Sequence, residues 1–168
     1  EEFSYVFLYW SNPIDPVIGN YNTYPVYQAV INQYTYQFFD YEGNVIARGT
    51  INYGEAITIP DYPTMPSTAE YSYTFSNWDL SVPETITSNI DFHPVYSFTS
   101  NPYQLTIDYL DGSNVETQTV DYESLIPIPG LMMRIGYSFG GWYYDIECTM
   151  AINSYLMPAN NLTVMQSG

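Results

Sequence analysis

Lysine is absent from this 168-residue chain. Arginine occurs only at Arg48 and Arg134, against 18 acidic residues, for a formal net charge of −16. Binding nucleic acid requires Lys and Arg to displace counterions from phosphates, so the composition argues against nucleic-acid partners. Anionic membrane surfaces attract basic segments and are disfavoured on the same ground. So few cations leave little room for salt bridges, and the fold must rest on aromatic packing and backbone hydrogen bonds. Cys148 is the only cysteine, which rules out a disulfide within the chain. No apolar run reaches the length of a membrane-spanning helix, so no membrane insertion is expected. No signal-peptide pattern is present, so an exported protein would be seen here in its mature form or as an excerpt.

Recognisable chemistry is equally sparse. There is no Gly-rich phosphate loop, Ser-centred elbow or zinc-ligand spacing. His93, the only histidine, precedes Pro94 at a place where Tyr24 stands before Pro25, and a catalytic base does not exchange with tyrosine. A nucleophilic pair of Cys148 and His93 would need two distant stretches to converge, and nothing marks Cys148 as activated. Asp40 with Glu42, and Asp108 with Asp111, lack the dense oxygen spacing of an EF-hand and read as turn acids, with weak calcium binding to so acidic a surface left open. No catalytic residue, cofactor or metal is expected, and the chain is not read as an enzyme.

What the chain has instead is aromatic residues, 18% of the total with 20 Tyr, and an internal repeat. Tyr5-Val-Phe-Leu-Tyr-Trp10, Tyr73-Thr-Phe-Ser-Asn-Trp78 and Tyr137-Ser-Phe-Gly-Gly-Trp142 share the pattern Tyr-x-Phe-x-x-Trp and contain all three tryptophans. Self-similarity at such a period decides the architecture before any local reading does. Upstream, Tyr34–Gly43 aligns with Tyr103–Gly112, and Gly49-Thr-Ile-Asn-Tyr-Gly54 with Gln118-Thr-Val-Asp-Tyr-Glu123. Downstream, Asn20–Tyr27 aligns with Asn89–Tyr96, and Asn161-Leu-Thr-Val-Met165 fills the same slot after a longer insertion. The chain thus reads as the back half of a repeat at 1–32, a complete repeat at 33–100 and another at 101–168.

Within each repeat the pattern predicts strands. Residues 3–10 form the first, broken by Asn12-Pro13 and Asp15-Pro16. Tyr21 to Val30 is the second, with Pro25 demoting part of it to an edge or bulge. Residues 34–39 and Val45 to Ile51 form a hairpin around Asp40-Tyr-Glu-Gly43. Ala56 to Ile59 reads as a short strand. Pro60, Pro63 and Pro66 make the crossing irregular, with at most one helical turn near 67–70. Tyr71 to Trp78 is the signature strand, 85–88 a loop, and Ile90 to Phe98 the closing strand. No helical period is sustained, so the fold class is mainly β. Tyr5, Phe7 and Trp10, Tyr73, Phe75 and Trp78, and Tyr137, Phe139 and Trp142 are the expected structural core, since units this small need large rings to bury enough surface.

These residues resemble the Listeria–Bacteroides repeat, the B-repeat family of internalin-type surface proteins. Ile135-Gly-Tyr-Ser-Phe-Gly-Gly-Trp-Tyr143 and Met157-Pro-Ala-Asn160 match its pattern closely; Thr50-Ile-Asn-Tyr-Gly54 and Tyr73-Thr-Phe-Ser-Asn-Trp78 match moderately. The resemblance implies small β-grasp-like modules with mixed sheets, strung in tandem into an elongated surface protein, associated with stalks, adhesion and protein contacts and without chemistry of their own. The first copy departs by lacking its front hairpin, the last by carrying Glu123 where the middle one has Gly54.

An extracellular or cell-surface location and a structural role in a microbial adhesin or fibre follow as expectations. The partners would be other copies of the chain or neighbouring repeats, with a host or cell-surface protein or glycan as a further partner. The tyrosine excess has two readings, core packing with cross-strand pairs and an exposed platform for protein or glycan ligands. The half-repeat has three: a hairpin cut away, strands that pair onto the next repeat, or strands supplied by another chain, which would polymerise copies head to tail. Asn161-Leu-Thr163 is a glycosylation sequon within an expected strand.

Overall fold

The protein's structure, a computed structural model, describes residues 1–12, 22–129 and 138–168. The expected breaks at Pro13 and Pro16, the start of the second strand at Tyr21, Arg134, and Tyr137 of the last signature lie outside the described residues. In chain order the strands are β1 (Phe3–Trp10), β2 (Pro25–Ile31), β3 (Gln33–Phe39), β4 (Val45–Asn52), β5 (Tyr71–Trp78), β6 (Ile90–Phe92), β7 (Pro94–Ser100), β8 (Pro102–Asp108), β9 (Glu116–Asp121), β10 (Gly141–Tyr143) and β11 (Leu162–Ser167). No helix occurs among the described residues.

The chain divides into two compact units, Glu1–Thr64 with Phe75–Tyr96 and Met65–Thr74 with Ser97–Gly168, so the division falls within β5 and β7. In the first unit β1 and β2 form an antiparallel ribbon. A three-stranded sheet follows in the order β4-β3-β6, with β3 antiparallel to β4 and parallel to β6. This is a β-grasp-like plan: a hairpin whose first strand is joined from the other side by a parallel strand from the end of the repeat. Alternation on β3 sends Tyr36 and Phe38 inward. Phe38 is fully buried, stacked on Phe92 at 4.6 Å and met edge-on by Trp78 at 4.9 Å. Ile57, also packed in this core, completes the cover with Ile86. Gly49 faces Tyr36 across the hairpin, where a Cβ would lie 2.6 Å from the tyrosine ring; only glycine lets that ring cross β4.

The second unit repeats the plan in the order β10-β11-β8-β9, with β8 antiparallel to β9 and parallel to β11. Leu105 and Ile107 take the places of Tyr36 and Phe38, and Val164 that of Phe92. Ile126, Met157 and Trp142 close the core. The smaller Leu105 pairs with Gln118, so the glycine is not needed here. Backbone bonds match as well: Gly54 N donates to Ile86 O and Ile86 N to Glu55 O, as Glu123 N donates to Met157 O and Met157 N to Ser124 O.

The structure differs from the sequence reading at two places, Ala56 to Ile59 and the closing strand. Ala56 to Ile59 is not a strand; Ile57 is buried there from an irregular segment. Residues 67–70 contain no helical turn, within the expectation of at most one. Residues 85–88 are a loop as expected, with Ile86 fully buried within it. The closing strand is broken at His93, because Pro94 has no N–H to continue the ladder, whereas Leu162–Ser167 runs unbroken without a proline.

Candidate docking interface

The aromatic pair of the signature motif keeps one geometry in all three copies. Phe7–Trp10, Phe75–Trp78 and Phe139–Trp142 meet edge-on at 5.8, 5.2 and 6.2 Å, with interplanar angles of 65, 66 and 65°. The spacing is why: the Phe and Trp are three residues apart, so a strand must bend to bring both rings to one side, and β1 shows the shift in register between Phe7 and Tyr9. What differs is the cover. Trp78 and Trp142 are 9% and 6% exposed, each under its own hairpin, and Trp142 also meets Tyr109. Phe75 and Phe139 are half-buried against those cores. Tyr73 is half-buried beside Phe98.

Trp10, Phe7 and Tyr5 correct the expected core list. They are 48%, 47% and 67% exposed. The reason is the absent partner: the described residues hold no front hairpin for the first copy, so its rings have no Phe38 or Ile107 to pack on. The β1–β2 ribbon is exposed along nearly its whole length, with Val6, Leu8, Tyr9, Tyr24, Tyr27, Val30 and Ile31 also open. Exposed apolar surface of this extent is a feature that interaction sites share.

A second feature is an Asn-centred hydrogen-bond cluster, called a join below, built once within each compact unit from corresponding atoms. At the first join Asn32 N donates to Glu2 O (2.8 Å) and Asn32 O accepts from Tyr53 N (2.7 Å). The Asn32 side chain donates to Glu1 O (3.0 Å) and accepts from Ser4 Oγ, and Tyr34 OH donates to Glu1 O (2.6 Å). At the second, Asn101 N donates to Glu70 O (2.8 Å) and Asn101 O accepts from Tyr122 N (2.9 Å). The Asn101 side chain donates to Thr68 O (2.7 Å) and Ala69 O (3.2 Å) and accepts from Ser72 Oγ, and Tyr103 OH donates to Ala69 O. Asn32 and Asn101 were missed in the sequence because the aligned stretches began at Tyr34 and Tyr103, two residues too late.

The second join also accounts for Glu123. It keeps the left-handed backbone of Gly54, with φ 63° against 85°. Its carboxylate accepts a hydrogen bond from Tyr71 OH at 3.0 Å, which raises the Tyr71 pKa above the ordinary tyrosine value. At the first join the corresponding residues are Phe3 and Gly54, neither of which can make that bond.

The remaining candidates stand as follows. His93 Nδ1 lies 3.4 Å from Asp79 Oδ2, and its ring stacks on Phe39 at 4.6 Å. Cys148 belongs to the other unit, at a left-handed φ of 55°, with its thiol 3.8 Å from Ile146 O. Asp40 Oδ1 accepts from Glu42 N and Asn44 N, and Asp108 Oδ1 from Leu110 N, so these acids hold turns. Among the described residues no three His, Cys, Asp or Glu side chains are grouped to hold a metal ion. Asn161 is exposed and its Oδ1 accepts from Gln104 N (2.8 Å), just as Asn89 Oδ1 accepts from Thr35 N (2.8 Å) outside any sequon.

Residues 103–165 match the profile of the Listeria-Bacteroides repeat domain. Internalin H of Listeria monocytogenes is 31% identical over 152 residues, covering 83% of this chain and 26% of that protein. A protein of Evansella cellulosilytica with a membrane-protein designation is 26% identical over 141 residues, covering 81% of this chain and 20% of its own length. The chain therefore spans only about a fifth to a quarter of these relatives. Among solved structures, domains 3–4 of the Streptococcal High Identity Repeats in Tandem from a cell surface protein align with a TM-score of 0.41 and 16% identity, covering 80% of this chain and 95% of that one. Residues 103–165 are thus a Listeria-Bacteroides repeat domain, and the chain is similar to repeat modules of surface proteins.

Proposed function

We propose that the chain is a non-enzymatic structural module of an extracellular microbial surface protein, an adhesin or fibre, whose repeating units are 33–100 and 101–168 and whose segment 1–32 is the back half of another. It works through protein–protein contacts, repeat against repeat. The observation that carries this reading is the Asn-centred join, made twice with the same donors and acceptors. A tandem array draws its stability from nearest-neighbour interfaces as well as from each repeat, and side chains devoted to the join serve such an array. Head-to-tail strand complementation through β1–β2 is the finer form of the same reading.

Asn101→Ala tests it. Removing the side-chain bonds to Thr68, Ala69 and Ser72 should lower stability by roughly 1–3 kcal/mol and split the calorimetric unfolding into separate transitions. A variant that unfolds in the parent's manner and at its temperature would refute the coupling.

A second reading rests on the exposed rings of Tyr5, Tyr9, Trp10, Tyr24 and Tyr27. Tyrosine gives contact area at low entropic cost, so the ribbon would hold a glycan or protein ligand. Saturable glycan binding lost in Tyr9→Ala or Tyr24→Ala, with folding intact, would favour it over the structural one.

A further inference from the structure

We propose that Tyr71 and Tyr122 form an oxidative cross-linking site, in which Glu123 takes up the phenolic proton of Tyr71 and a dityrosine bond makes the second join covalent. The proposal rests on the structural reading above and gives that join a chemistry of its own.

The starting observation is Glu123. A non-glycine residue at a left-handed φ of 63° is strained, whereas the aligned Gly54 meets the same backbone demand freely. Strain of this kind collects at functional positions, and what the side chain supplies here is a carboxylate. Its Oε2 accepts from the Tyr71 hydroxyl at 3.0 Å. The Tyr71 ring meets the Tyr122 ring edge-on, with centroids 5.6 Å apart and planes at 80°. Both rings are half-buried, and Glu123 is exposed. Among the described residues the other contact between two tyrosine rings is Tyr34 with Tyr53 at 6.5 Å, and there Gly54 follows Tyr53 where Glu123 follows Tyr122. The Tyr71–Tyr122 pair thus combines ring contact with a carboxylate on a phenol.

Backbone bonds hold the two rings in place. Tyr71 N donates to Thr68 Oγ1 (3.0 Å), Thr68 N to Tyr71 O (2.9 Å) and Tyr122 N to Asn101 O (2.9 Å). Groups fixed this close react with each other far faster than with groups on other molecules. Copies at −16 each also keep apart at low salt. Tyr71 opens β5 and Tyr122 follows β9, so a bond between them ties residues far apart in sequence. A chain with one cysteine has no disulfide to do this.

The chemistry needs an electron and a proton to leave each phenol. The Glu123 hydrogen bond above all holds the Tyr71 pKa above the ordinary tyrosine value; burial first, and then the same carboxylate, does so for Tyr122. At neutral pH both phenols keep their protons, so oxidation of Tyr71 calls for an acceptor already in hydrogen-bond contact, which Glu123 is. The oxidant is hydrogen peroxide turned over by a haem peroxidase, which takes one electron from each phenol. The Tyr71 proton passes to Glu123 and on to water, and the Tyr122 proton to water. The two phenoxyl radicals join through a ring carbon ortho to each oxygen, and the hydrogens on those carbons shift to the oxygens, restoring both phenols. In the balance two ring C–H bonds give way to one C–C bond. The two electrons and two protons released reduce one peroxide to two waters.

The test treats the full chain, dilute and at low salt, with a haem peroxidase and limiting hydrogen peroxide. The expected product keeps the monomer's mass less two hydrogens, shows the blue fluorescence of dityrosine, and on digestion yields a peptide pair joined from Tyr71 to Tyr122. Tyr122→Phe should abolish that pair. Glu123→Gln keeps an acceptor oxygen and the same backbone demand but takes no proton, so coupling should slow by about tenfold or more near neutral pH. The deficit should close as pH rises toward the ordinary tyrosine value of about 10, where phenols shed their protons unaided. A merely structural Glu123 would show no such rescue. Cross-links spread over the exposed tyrosines, with none between Tyr71 and Tyr122, would overturn the proposal. So would equal coupling rates for the parent and Glu123→Gln at neutral pH. Calorimetry of untreated Asn101→Ala tests the structural reading without any oxidant, so the two failures are distinguishable.

Discussion

Trp10 and Trp78 are the same residue of the same motif in two states of burial, and they should respond differently to truncation. Trp78→Ala removes the ring that meets Phe38 and Phe75 in a closed core and should cost ~3–5 kcal/mol. Trp10→Ala removes a half-exposed ring whose aromatic contact is Phe7 and should cost about 1 kcal/mol. Thermal unfolding of the two variants checks both values, and equal losses would contradict the assigned burial. Tyr71 and Glu123 form a second testable pair. The Tyr71 hydroxyl donates to the Glu123 carboxylate, and its pKa is raised chiefly by that bond. A raised folded pKa means that this contribution is full below the unfolded tyrosine value of about 10 and is lost as pH rises through the folded one. Glu123→Gly should bring Tyr71 back toward the ordinary range in an ultraviolet pH titration. It should also relieve the left-handed backbone at 123, offsetting part of the lost hydrogen bond. The signature rings were legible as residues; their burial was not, because burial depends on whether a hairpin lies opposite. Ile86 was illegible, being a single apolar residue with no period to reveal it, and Met157 was legible only as part of the family's turn, not as core.

At the scale of elements the sequence was clearest where a strand alternates and a turn has its own chemistry. Asp40-Tyr-Glu-Gly43 reads directly as a hairpin turn, and the structure places Gly43 at φ 85° with Asp40 capping the backbone. The irregular crossings were less legible because their order comes from tertiary hydrogen bonds, such as Ile86 N to Glu55 O, between residues far apart in sequence. The loop after β10 is held by Asp145, whose carboxylate accepts from Thr149 N, Thr149 Oγ1 and Met150 N. These bonds, the Thr149 side chain first, hold its pKa below the usual value of 3.8, and the Asn44 backbone N–H does the same for Asp40. A depressed folded pKa stabilises above the unfolded value and stops doing so as pH falls through the folded one. Acidification below 3.8 should therefore loosen both turns, and hydrogen exchange at the Thr149 and Met150 amides should quicken there. Asp145→Asn should weaken that acid response at this loop; an unchanged response would place its origin elsewhere.

For the whole molecule, charge and repetition were plain from composition and spacing, while the joins between repeats were not. A hydrogen-bonded asparagine among exposed polar residues carries no signature until two copies are seen making the same bonds. Joins that lock one repeat to the next leave a local mark in the Tyr122 amide, which donates to Asn101 O across the second join. Native-state hydrogen exchange of that amide is the most direct measurement. If the join is part of the cooperative fold, the Tyr122 amide exchanges at the same free energy as the β8–β9 ladder, and Asn101→Ala lowers its protection more than that of the ladder. If it exchanges as fast as the exposed turn after Asp108, successive repeats are merely tethered and the structural reading fails.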